Sequence, residues 1–152
     1  MTPRFNAFKV SPDLTKALMG VETALAASGL EHGLAELVRI RASQINGCAY
    51  CIHMHVVDAK ANGETDMRIA MLDGWRESPL YSDRERAALA WTESLTRIAK
   101  THAPDADYEH VKGQFSDNEI VALTILIGQI NNWNRLQIAG RVIHPVETAK
   151  AA

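Results

Sequence analysis

The same helix-starting signature occurs twice in this chain, at Ser82-Asp83-Arg84-Glu85 and at Ser116-Asp117-Asn118-Glu119. In such a capping box the hydroxyl accepts from the amide three residues on. The glutamate at that third position reaches back to the cap amide. Behind the first box, Ala88, Trp91, Leu95 and Ile98 mark one apolar face at helical spacing. Behind the second, Ile120 to Ile127 is apolar on nearly every side, which predicts a central, buried helix. The rest of the chain is punctuated in the same way. Ser11-Pro12 supplies an N-cap and a proline at the first helical position, and Gly29 a stop. Residues His32 to Ile45 carry Leu34, Leu37, Val38 and Ala42 on one helical face, and Asn46-Gly47 ends them. A third helix opens near Cys48 and closes at Asn62-Gly63, and Thr65 caps a short one that stops at Gly74. No stretch sustains the alternation of a strand and no repeat is present. The expected fold is all-α, with residues 1–152 in a single domain.

A chain of 152 residues can bury roughly 68–70% of the surface its unfolded form exposes. It therefore needs neither a disulfide scaffold nor a structural metal. Its 47% hydrophobic and 22% charged residues are ordinary globular usage and exclude general disorder. A net charge of −2 leaves no basic footprint for nucleic acid. The Ile120 to Ile127 run is far too short to span a membrane. Met1-Thr2-Pro3-Arg4-Phe5 lacks the apolar core of a signal peptide, so a cytoplasmic location is expected.

The two cysteines, Cys48 and Cys51, stand three positions apart. A bond between them would close a tiny loop, and the stabilisation a disulfide gives grows with loop length. Paired thiols in a reducing compartment point instead to redox chemistry or metal binding. Behind the Asn46-Gly47 turn, Cys48 sits at or near a helix N-terminus, where unpaired amides and the helix dipole favour a thiolate. Cys48 and Cys51 are i, i+3 and share a face, so they can form a disulfide. Cys51 and His55 are i, i+4, which brings an imidazole within reach of the Cys51 proton. Such a base usually needs an orienting partner, and Glu36 on the preceding helix is the best candidate.

Blander readings stand beside this one. The cysteines could be two buried apolar residues, and Glu36 a solvent-facing carboxylate. Zinc is the stronger rival, since Cys48, Cys51, His53 and His55 are all ligand types. However, His53 lies about 200° round the helix from its neighbours two positions away, so a closed tetrahedral site would need distortion. Ile52 stands where a c-type haem motif requires histidine, and no βαβ pattern accompanies the Cys-x-x-Cys, which excludes haem attachment and a thioredoxin fold. His53 reads as a surface or subunit-contact residue. Trp75, Trp91 and Trp133 read as core or interface anchors. Asn131, Asn132 and Asn134 on a late helix could order a polar network near the site, or serve as caps or interface groups.

Glu36, eleven residues, Cys48-x-x-Cys51, three residues and His55 together resemble the AhpD-like alkylhydroperoxidases of the carboxymuconolactone decarboxylase superfamily. The text Arg41-Ala42-Ser43-Gln44-Ile45-Asn46-Gly47-Cys48-Ala49-Tyr50-Cys51 is similar to that family's core segment. The likeness continues through Asn62-Gly63-Glu64, Glu85-Arg86-Ala87 and Asn131 to Arg135, a core from about 30 to 139. The resemblance implies that Cys51 attacks a hydroperoxide and becomes a sulfenic acid, that Cys48 resolves it, and that Glu36 and His55 relay a proton. It implies no bound cofactor or metal. The reductant would be an external dithiol, often a lipoyl group on a partner protein, and the chain would assemble into trimers or hexamers. Alternatives are a lactone decarboxylase, which does not use a Cys-x-x-Cys pair, and a non-enzymatic redox or zinc sensor. One residue departs from the pattern. Tyr50 stands before Cys51 where these peroxidases carry histidine, and a phenol titrating near ~10 cannot act as a base at neutral pH. Tyr50 is thus a candidate substrate-binding residue, and peroxidase activity is expected to be modest.

Overall fold

The structure, a computed structural model, describes residues 2–146 and contains helices and no strand among them. After a single-turn α1 (Ala7–Val10) come α2 (Pro12–Ala26), α3 (His32–Asn46) and α4 (Ala49–Ala61). Next are α5 (Asp66–Ala70), a 3₁₀ turn over Met71–Gly74, and α6 (Asp83–Thr96). The chain ends through α7 (Ile98–Thr101), α8 (Asp105–Lys112) and the long α9 (Asp117–Gly140).

Both capping boxes form as read. The Ser82 and Ser116 hydroxyls accept from the Glu85 and Glu119 amides, and each glutamate accepts from its cap amide at 2.8 Å. Thr65 likewise caps α5. Ser11 is different. It occupies the N-cap of α2, but its side chain makes no capping bond, and the Thr15 hydroxyl donates back to the Ser11 and Pro12 carbonyls at 3.0 Å.

The organising element is α3, which packs against α4, α6 and α9. On one side Val38 joins Ala88 and Trp91 of α6 and Leu123 and Ile127 of α9. On the other, Leu37 and Ile40 meet Ala59 of α4, Leu72, Trp75 and Leu89. Each such side chain, fully removed from water, contributes roughly 1.5–3 kcal/mol. A helix covered on several sides must also satisfy its polar groups. Arg41, 6% exposed, is bound by Glu93 at 2.9 Å, and Glu93 also accepts from the Trp75 indole at 2.9 Å. The expected anchor role of Trp75 and Trp91 matches their burial.

Two expectations about apolar faces need correcting. The run Ile120 to Ile127 is not buried all round: Val121 is 58% exposed and Ile125 46%. Although α9 packs against α2, α3, α4, α6 and α8, these neighbours do not reach the face that carries Val121 and Ile125. Ile98 does not extend the α6 stripe either, because α6 stops at Thr96 and Ile98 is exposed on α7. No helix among the described residues is long and apolar enough to cross a membrane.

Candidate active site

The site begins at a turn. Gly47 adopts a left-handed conformation (φ 69°, ψ 32°) that a residue with a Cβ takes up only at a cost. The Gly47 amide then donates to the Gln44 carbonyl, and the Cys48 amide to the Ser43 carbonyl at 3.0 Å. This closes α3 and leaves Cys48 as the N-cap of α4. Cysteine replaces the usual serine or aspartate there, and its side chain makes no ordinary capping bond. Both cysteines are free thiols and only 1% exposed, packed with Ala42 and Ile130 under Tyr50 and Trp133.

The two sulfurs titrate as one unit, and their surroundings separate them. A hydrogen bond from the Cys51 thiol, with the Cys51 amide, Asn134 and the Tyr50 amide, lowers the Cys48 thiol to about 7, against the opposing push of burial. Cys51 is pushed up, first because it donates to Cys48, then by burial and by the Cys48 charge. Of the two sulfurs, Cys48 is thus the one favoured to carry a charge, with the Cys51 thiol as its donor.

Glu36 on α3 and His55 on α4 meet in the interior, with His55 Nδ1 and Glu36 Oε2 2.8 Å apart and both residues under 10% exposed. Arg39 takes the other Glu36 oxygen at 2.7 Å and extends to Glu22 of α2 at 2.9 Å. Glu22 in turn accepts from the Trp133 indole of α9 at 2.8 Å. Burial pushes the Glu36 carboxyl up, but the His55 hydrogen bond and charge, with Arg39, hold it below the usual carboxylate range. The orienting partner proposed for His55 is thus in contact with it.

Glu36, Cys51 and His55 line a cavity of about 390 Å³, whose apolar wall includes Phe8, Met19, Met54 and Trp133. Cys48 is absent from that wall. It lines a second cavity, of about 370 Å³, with Gly47, Arg4 and Arg141. Tyr50 and Gln137 line both. Trp133 is therefore a cavity wall, stacked on Phe8 at 5.9 Å, as well as an anchor.

Beneath the thiols lies an amide network. The Asn46 carboxamide donates to Asn131 at 2.9 Å and to Asn134 at 2.8 Å, and Asn134 donates to the Ser43 hydroxyl at 3.0 Å. Asn134, 1% exposed, also acts on both sulfurs. Its signal in the sequence was its place as one of three asparagines on a late helix, Asn131, Asn132 and Asn134. Asn132 is not in the network and lies by a different cavity. Arg39, Glu22 and Phe8 carried no such signal.

The zinc set Cys48, Cys51, His53 and His55 does not come together among the described residues, and His53 stacks on His144 at 5.2 Å. Glu36, His55 and the exposed Asp58 do bring ligand-type atoms within 4.8 Å of one another. A cation there would displace Arg39 or His55 from Glu36.

Residues 12–94 match the family model of the carboxymuconolactone decarboxylase family. An uncharacterised protein of Bacillus subtilis (strain 168), YdfG, is 40% identical over 139 residues, 91% of this chain and 95% of that protein. A crystal structure from Agrobacterium tumefaciens, of a protein of unknown function provisionally named an antioxidant defence protein AhpD, is 46% identical. It superposes with a TM-score of 0.93 over 96% of this chain and 100% of that one. A peroxidase-related protein with an alkylhydroperoxidase AhpD core, from Ralstonia eutropha JMP134, shares the fold at 19% identity and a TM-score of 0.81. It covers 93% of this chain and 75% of that one.

Proposed function

Because this chain belongs to the carboxymuconolactone decarboxylase family, on its AhpD-like side, we propose that it is a thiol peroxidase with an antioxidant role that reduces hydroperoxides through Cys48 and Cys51. The observation that carries the reading is the buried Glu36–His55 contact of 2.8 Å in the same cavity as Cys51, with a second thiol directly behind it.

A hydroperoxide enters the cavity shared by Cys51 and His55. The Cys51 sulfur attacks the terminal peroxide oxygen, and His55 takes the thiol proton. The O–O bond breaks, the alkoxide leaves as an alcohol with the proton His55 returns, and Cys51 becomes a sulfenic acid. Glu36 holds the ring and balances its positive charge while the proton is on it. The Cys48 thiolate, the more readily formed of the two, attacks the Cys51 sulfur. The S–O bond breaks as the disulfide forms, and the hydroxide leaves as water with a proton taken from solvent. An external dithiol, of the lipoyl type or another, then restores both thiols and is itself oxidised to a disulfide.

The direct test is peroxide consumption with dihydrolipoamide or dithiothreitol as donor. The native chain should turn over with a dithiol, and Cys51→Ser should abolish turnover. No consumption with either donor, together with no Cys48–Cys51 disulfide after peroxide treatment, would overturn the reading.

A further inference from the structure

The two sulfurs open onto different cavities, and the two cavities differ in charge. Three carboxylates, Glu22, Glu36 and Asp58, line the one at Cys51 against a single guanidinium, Arg39, which pairs with Glu22 and Glu36, so its balance is acidic. The one at Cys48 has none, and two arginines, Arg4 and Arg141, border it. Resting on the peroxidase reading above, we propose that the reducing thiol enters at the Cys48 cavity, and that this cavity selects a thiol carrying a carboxylate.

Both guanidiniums are placed by the end of α9. Arg141 is its left-handed C-cap (φ 52°), and the Arg4 amide donates to the Gly140 carbonyl at 2.8 Å, which brings the N-terminal segment alongside. Neither has a carboxylate partner among the described residues. Arg4 makes only a long 3.4 Å bond to the Ala139 carbonyl. Cations at a helix C-terminus also offset its dipole, but that dipole amounts to about half a charge, and two full charges leave the cavity positive. A carboxylate-bearing thiol is attracted there and repelled from the acidic cavity at Cys51. Neutral hydroperoxides suffer no such bias.

Entry on this side sets the course of the exchange. The entering thiolate attacks the Cys48 sulfur, and the S–S bond breaks. Its electron pair leaves on Cys51, the sulfur beside His55, which supplies the proton. The donor's second thiol then attacks its own sulfur in the mixed disulfide and releases Cys48. In this second step Cys48 leaves as a thiolate held by the Cys51 thiol beside it, whereas in the first step Cys51, the less acidic sulfur, leaves only because His55 protonates it. The donor ends as a disulfide and the protein as a dithiol.

The test isolates the reductive half. The Cys48–Cys51 disulfide is formed with diamide, so the result does not depend on any reaction with peroxide, and its reduction is followed by stopped flow. Dihydrolipoate should reduce the native chain about tenfold faster than neutral dihydrolipoamide at low ionic strength. Added salt should shrink that ratio. In Arg4→Gln/Arg141→Gln the ratio should fall to about one, whereas a merely structural loss would slow both donors equally and leave the ratio intact. Rapid acid quenching after 3-mercaptopropionate, followed by peptide mass mapping, should place the adduct on Cys48. An adduct on Cys51, or equal rates for the two donors with the native chain, would overturn the proposal.

Discussion

Replacing Glu36 with glutamine tests the relay at its most defined contact. Both carboxylate oxygens are engaged, one by His55 at 2.8 Å and the other by Arg39 at 2.7 Å. Glutamine keeps the shape but offers a single acceptor oxygen, and it removes the charge that stabilises a protonated His55. A hydrogen bond to a charged group is worth about 1.5–3 kcal/mol net. About 1.4 kcal/mol is tenfold in rate, so the Glu36→Gln chain should oxidise Cys51 about 10- to 10²-fold more slowly. His55→Ala should slow it by about 10²-fold or more, the range for losing a general base. If the two serve one proton path, the double variant should be no slower than His55→Ala alone. The assay is pre-steady-state loss of free thiol after mixing with an alkyl hydroperoxide, with the thermal midpoint of each variant measured alongside. Additive losses, or an unchanged rate in Glu36→Gln, would refute the coupling. Acid stability gives a second readout. The folded-state carboxyl lies below its ordinary value of 4.5, so its contribution to stability is complete above that pH and is lost as pH falls through the folded value. Glu36→Gln should remove that part of the acid dependence.

The ultraviolet thiolate signal of the native chain should titrate with a midpoint near the value of about 7 held by Cys48, and Asn134→Ala should move it upward by removing a donor to the charged sulfur. An unmoved midpoint would show that Asn134 only packs. A sulfenic-acid probe should label Cys51 in Cys48→Ser, whereas labelling of Cys48 in Cys51→Ser with none on Cys51 would reverse the assignment. Tyr50→His should raise peroxide turnover near neutral pH, because tyrosine stays protonated where histidine can exchange a proton. Unchanged turnover in both Tyr50→His and Tyr50→Phe would leave Tyr50 as cavity wall only. Light scattering at micromolar concentration should give a multiple of the 16.7 kDa protomer mass, and the monomer mass would rule out assembly.

Much of this molecule was legible along the chain because its helix ends are written in local chemistry. Ser82 with Glu85 and Ser116 with Glu119 need only each other, and Gly47 needs only its own missing Cβ. Features that depend on which helix packs where were not legible. Val121 and Ile125 look as buried as Leu123 until the neighbours are known to stop short of them. The same holds for α1, too short to show a period, which nevertheless delivers Phe8 to the cavity wall. Glu36 could be named as a partner for His55, but spacing alone could not say that Arg39 would share it, because that contact ties in Glu22 of α2. Nor could Cys48 and Cys51 be assigned to separate cavities before Tyr50 and Gln137 were seen between them.

The Gly47 turn makes chain length itself part of the chemistry. Glu36 and His55 stand on two rigid rods joined by this one short hinge, with no slack loop between them to absorb an error. One residue added or removed between Cys48 and His55 would swing the imidazole about 100° round its axis and slide it about 1.5 Å along it. The carboxylate would then face a different side chain. Substitutions in this segment can be tested one position at a time, but a single-codon insertion should silence the site while leaving a helical, soluble-looking fold.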